Sequence, residues 1–180
     1  MRTPSPTFAA PVLALALALA LGSCGPGPAD TRFLNFDAEG STGALTSGWS
    51  GFEKTESGDT FVWAQAREAK LGLLASGVAE RLVRFRAWPF RYAGAPPQTV
   101  TISVNGVKLP TVTLGEGPRV YSVTSPGSAW KPGLNVLSFE FAYAEAPKDR
   151  EPGNADARTL AAAFDWIEVL PVVREGMRRS

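Results

Sequence analysis

Thr99-Val100-Thr101-Ile102-Ser103-Val104-Asn105-Gly106 is the stretch from which the fold of this chain can be read. Apolar Val100, Ile102 and Val104 alternate strictly with hydroxylic Thr99, Thr101 and Ser103, the period of a strand with one face buried and one wet. Asn105-Gly106 follows directly. Both residues tolerate positive φ, so the pair predicts a two-residue type I′ hairpin. The return strand is expected over residues 107–114, where Pro110 marks an edge or a bulge.

The same grammar recurs on both sides of the hairpin. Upstream, Phe33-Leu34-Asn35-Phe36 reads as a first strand, and residues 40–51 as a turn-rich segment running into Trp49-Ser50-Gly51-Phe52-Glu53. Residues 61–66 and 69–75 are two apolar runs expected to pair as a hairpin. In residues 81–88, Leu82 is off phase; Val83, Phe85 and Ala87 then alternate with Arg84, Arg86 and Trp88. Residues 89–97 form a long connection. Downstream, residues 119–123 form a strand, residues 133–135 turn the chain, and residues 136–143 alternate again. A polar loop over 145–156 precedes a last strand over 162–170, with a helical turn admitted at 159–163. Eight or nine short strands without a long amphipathic helix predict an all-β, antiparallel sandwich.

Ahead of this domain stands a different kind of sequence. Arg2 is followed by the apolar run of residues 12–21, too short to span a bilayer comfortably at about 20 residues but suited to a secretory leader. Leu21-Gly22-Ser23-Cys24 closes it and resembles the lipobox of bacterial lipoproteins. That resemblance implies cleavage before Cys24 and acylation of Cys24 by palmitate-type chains. No aspartate directly follows Cys24, which by the same resemblance favours the outer membrane, on its periplasmic or surface face. The expected organisation is a signal peptide over 1–23, a Gly/Pro-rich tether over 24–31, a sandwich over 32–172 and a basic tail over 173–180 containing Arg174, Arg178 and Arg179.

Composition excludes several functions. The 180 residues carry a net charge of +1 with the charges scattered, which argues against a nucleic-acid surface. Histidine is absent, removing the commonest general base and zinc ligand. Cys24 is the sole cysteine, so no internal disulfide can form. No carboxylate spacing singles out a glycosidase pair among Glu53, Glu56, Asp59, Glu140, Asp165 and Glu168. No enzyme, cofactor or metal is therefore assigned.

Three pieces resemble the galactose-binding-like jelly-roll of carbohydrate-binding modules. They are Gly48-Trp49-Ser50-Gly51-Phe52-Glu53 with Phe61-Val62-Trp63, the Val100–Gly106 hairpin with Tyr121-Ser122-Val123, and Gly133-Leu134-Asn135-Val136-Leu137-Ser138-Phe139 with Phe164-Asp165-Trp166-Ile167. The resemblance implies a jelly-roll sandwich and glycan binding through exposed aromatic rings. It also brings in a structural calcium site, to which Asp37, Glu39 and Asp165 could contribute, although their spacing matches no defined calcium loop. Candidate ligand-binding residues are Trp49, Glu53, Arg86, Trp88 and Tyr92. Trp49 and Glu53 either hold a ligand or lock their loop. Trp88, Arg91 and Tyr92 either line a groove or pack on the surface. Trp63 and Trp166 are assigned to the core. Two roles follow: a lipid-anchored, non-enzymatic glycan-binding module, or a lipoprotein that docks an envelope protein through residues 145–156 or the Arg84/Arg86/Trp88 face.

Overall fold

The computed structural model describes residues 31–36, 42–56 and 58–172. The leader, Cys24, Asp37, Glu39 and the basic tail lie outside the described residues. Twelve strands are described: β1 (Arg32–Asn35), β2 (Leu45–Ser47), β3 (Trp49–Lys54), β4 (Thr60–Ala64), β5 (Glu68–Ala75), β6 (Arg81–Pro89), β7 (Thr99–Val104), β8 (Val107–Lys108), β9 (Val112–Thr113), β10 (Arg119–Ser125), β11 (Gly133–Phe141) and β12 (Ala162–Pro171). They form two antiparallel sheets. The first runs β10-β6-β12-β4-β3, with β1 also on β12; the second runs β2-β5-β11-β7-β8, with β9 also on β7. This is the expected all-β sandwich.

Each sheet turns its aliphatic positions inward. Val83, Phe85 and Ala87 of β6 face Val100, Ile102 and Val104 of β7 and Leu137 and Phe139 of β11 across one continuous core. Phe164 of β12 sits at its centre, with ring centroids 5.3 Å from Trp49, 5.7 Å from Phe85, 5.5 Å from Phe139 and 6.1 Å from Phe141. Burying such a side chain is worth roughly 1.5–3 kcal/mol before packing geometry is counted.

The Asn105-Gly106 turn forms as its sequence dictates, with φ of 49° and 86°. Pro110 interrupts the return strand at the sheet edge, leaving the short β8 and β9 instead of one strand over 107–114. Other expectations are corrected. Residues 61–64 and 69–75 do not pair with each other: β4 lies between β3 and β12, whereas β5 lies between β2 and β11 in the opposite sheet. The Gln65-Ala66-Arg67 link contains none of the positive-φ residues a tight hairpin needs, and it crosses between the sheets instead.

Trp49 to Glu53 is strand, not loop. Gly48 makes the crossing from β2 to β3 at φ 77°, where a Cβ would stand 2.4 Å from the Glu68 carbonyl oxygen. Only glycine fits there. The helical turn falls at α1 (Pro147–Arg150), not at 159–163, because Ala162 and Ala163 pair with Pro89 and Trp88 of β6. Gly133 to Asn135 already belong to β11.

Replacing Phe164 with Ala removes the ring shared by both sheets and should cost about 3–5 kcal/mol in denaturant unfolding, against a fraction of that for Phe164→Leu. Equal losses from the two variants would show that the ring is not packed as described.

Candidate functional site

The outer face of the first sheet carries Phe33, Phe61, Trp63, Trp88 and Trp166 together with Arg84, Arg86, Asp165 and Glu168. On β4 the inward residues are Val62 and Ala64, so Phe61 and Trp63 point out. On β6, Arg84, Arg86 and Trp88 point out. Ala163 of β12 is the cross-strand partner of both Trp63 and Trp88, and its single methyl group lies fully buried between them. Phe61 closes the group, with its ring centroid 5.9 Å from Trp63 and 5.2 Å from Trp88. The two half-buried indoles thus stand on neighbouring positions of an aromatic strip with a small residue as floor.

The strip continues past the end of β6. Phe90 lies 6.4 Å from Trp63 and 6.0 Å from Tyr92, and Tyr92 lies 5.7 Å from Tyr143. The Arg150 guanidinium caps Tyr92 at 4.9 Å and is itself held by Glu145 at 3.0 Å. That carboxylate raises the Arg150 pKa above its ordinary value. Burial raises that of Tyr143, whose hydroxyl donates to the Phe90 carbonyl at 2.6 Å.

Ion pairs frame the rings. Arg86 pairs with Asp165, and Arg84 donates to Glu168 at 3.0 Å. Arg84 also lies 5.8 Å over Trp166, which contacts the exposed Phe33 ring at 5.8 Å. At the other side of the sheet, Arg158 donates to Glu53 at 2.6 Å and to Asp156 at 2.8 Å, tying β3 to the loop before β12. Hydrogen bonds from the Arg158 side chain and backbone hold the Asp156 carboxyl below its ordinary 3.8.

Of the five sequence candidates, Glu53, Arg86 and Trp88 share this face, and Tyr92 extends it through Phe90. Trp49 does not join them. Its ring points inward among Phe36, Phe139 and Phe164, and its indole N–H donates to the Lys70 carbonyl at 2.7 Å. Trp49 locks the sheets together. Trp63 and Trp166, assigned to the core from sequence, stand instead half-buried on the outer face. The signal for Trp63 was present: the small inward Val62 and Ala64 set its phase. The Arg158–Glu53 pair carried no sequence signal, because its two residues are remote in the chain.

A groove of about 460 Å³ also lies on the opposite sheet, lined by Arg67, Glu68, Thr99, Thr101, Glu140, Phe141 and Ala142. Phe141 is buried in the core, so that groove lacks a ring face to stack on. Among the described residues no three carboxylate or thiol side chains converge to hold a metal ion. Asp165, one of the three residues considered for calcium, is paired with Arg86.

No family model and no curated protein matches the chain. Its fold does match solved structures. A family 35 carbohydrate-binding module from an environmental isolate superposes with a TM-score of 0.50 at 16% identity, covering 79% of this chain and 98% of that one. Another family 35 module, from Clostridium thermocellum, gives a TM-score of 0.50 at 12% identity over 79% and 98%. At such identities the likeness establishes architecture. The class is a jelly-roll β-sandwich of the kind found in carbohydrate-binding modules.

The Asp156 shift has a pH signature. A depressed folded-state pKa contributes stability that is complete above the ordinary 3.8 and lost as pH falls through the folded value. Thermal melts below about pH 4 should therefore fall more steeply for the native chain than for Arg158→Leu. Parallel acid profiles would show that the cluster does not hold in solution.

Proposed function

We propose that this protein is a non-catalytic glycan-binding module, exported and anchored to the bacterial envelope through acylated Cys24. The observation that carries the binding reading is the pair of outward indoles, Trp63 and Trp88, flanking buried Ala163 on a sheet face framed by Arg86–Asp165 and Glu53–Arg158. Pyranose rings present flat C–H faces that stack on such indoles. Their hydroxyls need fixed donors and acceptors at the ring edges, which the paired guanidinium and carboxylate groups supply. The fold neighbours named above include modules described as carbohydrate-binding, which supports the same reading. The anchor rests on sequence: the apolar run, the small residues and Cys24 in the order a lipobox requires. Two or three acyl chains at about 0.8 kcal/mol per buried methylene hold a protein stably at a bilayer.

A glycan array probed with the mature chain identifies the ligand, and calorimetry with the same glycan then tests the platform. Trp63→Ala and Trp88→Ala should each weaken association about tenfold, roughly 1.4 kcal/mol per stacked ring, while leaving a cooperative melt. Trp49→Ala should instead lower the melting temperature, because its ring is between the sheets. A well-folded chain that binds no glycan overturns the reading; loss of a crosslinked envelope protein on Trp88→Ala would then assign the face to protein docking.

Cys24→Ser should move the protein from the membrane to the soluble fraction. Unchanged membrane retention would remove the anchor from the account.

A further inference from the structure

The strands give this domain two unlike ends. β6 runs from Arg81 at one end to Trp88 at the other, and a 9-residue strand at about 3.3 Å per residue separates those ends by nearly 30 Å. The glycan face is weighted toward the Trp88 end, with Tyr92, α1 and the Asp156–Arg158 loop. Near Arg81 lie the start of β1, the ends of β5 and β12 and the start of β11: Arg81 pairs with Pro171 and Ser125, and Ala75 with Gly133.

Seven large apolar side chains are exposed among the described residues: Phe33, Leu74, Val78, Val107, Val120, Leu134 and Val136. Six of them, all but Val120, lie at or beside the Arg81 end, Phe33 on the first sheet. Leu74 and Leu134 are direct cross-strand partners, 60% and 59% exposed. Leu134 folds over Gly72, the partner of Val136, so the three side chains form one patch. Val78, in the turn after β5, is 68% exposed. A soluble surface scatters such residues; here Leu74, Leu134 and Val136 share the outer face of the second sheet where it meets the Arg81 end, beside Val78, and form a rim there.

The chain enters at this rim. Arg32, the first residue of β1, donates to the Leu74 carbonyl at 3.1 Å. Cys24 stands seven positions before Thr31, a span of at most about 25 Å even when fully extended. Val172, the last described residue, donates to the Glu80 carbonyl at the same end.

We infer that the Leu74/Val78/Leu134/Val136 rim rests on the phospholipid surface that holds the acylated Cys24, and so turns the aromatic face outward. The inference builds on the anchor proposed above. A tether of this length confines the domain to the membrane, and the rim selects one orientation within that confinement. Its aliphatic side chains lose water contact against the headgroup–acyl boundary, as on interfacial membrane proteins. The opposite end then stands away from the bilayer, where a polymeric glycan can reach Trp63 and Trp88.

The acylated full-length mature chain is tested in vesicles of phosphatidylethanolamine and phosphatidylglycerol. With Cys24 blocked by acylation, one cysteine is introduced as Val78→Cys, Leu134→Cys or Ala155→Cys and labelled with an environment-sensitive fluorophore. The labels at 78 and 134 should shift to the blue and be quenched by lipid-borne nitroxide, whereas the label at exposed 155 should report water. If the protein floats with the vesicles but all three labels report water equally, the rim inference is overturned and the anchor stands. If the protein does not float with the vesicles, the anchor reading fails and this inference falls with it.

Discussion

Phe164 is the point on which the two sheets close, and its consequences extend to the outer surface. It belongs to β12, which pairs with β6 along one side and with β4 and β1 along the other. Four rings from both sheets surround it, so β12 cannot rotate or slide without opening the core. The β12–β6 register shifts between Phe164 and Trp166. Ala162 and Phe164 point in on one phase, whereas Ile167 and Val169 point in on the other. Strict alternation from Phe164 would bury Trp166 and Glu168. The bulge resolves that conflict by placing Asp165 and Trp166 both outward, where Asp165 meets Arg86 and Trp166 lies under Arg84.

A sandwich also has open ends, where strand backbone groups leave the ladder yet remain out of water. This chain closes them with buried amides. At the Trp88 end, the Gln98 side chain donates to the Tyr143 and Ala161 carbonyls at 2.8 and 3.0 Å and accepts from the Thr99 and Tyr143 amides. At the rim end, Asn135 accepts from the Asn105 side chain and the Lys131 amide and donates to the Lys131 and Gly133 carbonyls. Arg81 lies beside it, buried against Trp130 at 4.7 Å and donating to the Gly77 and Ala79 carbonyls. Each group satisfies backbone atoms that would otherwise cost about 1–3 kcal/mol apiece.

These closures explain what could be read in advance and what could not. Strand existence was legible wherever period two was clean, as in β6, β7 and β11, and the Asn105-Gly106 hairpin follows from local backbone energetics alone. Which sheet each strand joins was not legible, because residues 61–64 and 69–75 look alike until Gly48 and the 65–67 link are seen to cross the sandwich. The candidate site was half legible. Glu53, Arg86 and Trp88 fall on one face and Trp49 takes the structural one of its two expected roles, but Trp63 leaves the core, since an indole in an apolar strand looks the same whether its phase points in or out. The bulge hid Trp166 for the same reason. The bonds from Gln98 to Tyr143 and Ala161, and from Asn105 to Asn135, were not legible, as those partners are remote in the chain.

The ion pairs around the aromatic face also bear on what that face can do. Asp165 and Glu168 are each bound to an arginine of β6, and Glu53 and Asp156 share Arg158. At Asp156 the hydrogen bonds from Arg158 hold the carboxyl below its ordinary value. Paired groups of this kind are suited to orientation. The carboxylate fixes the guanidinium, the guanidinium keeps further N–H donors free at the edge of the rings, and neither partner must be ordered when a ligand arrives. A face built from half-buried indoles and already-paired charges is therefore preorganised, with little side-chain entropy left to lose.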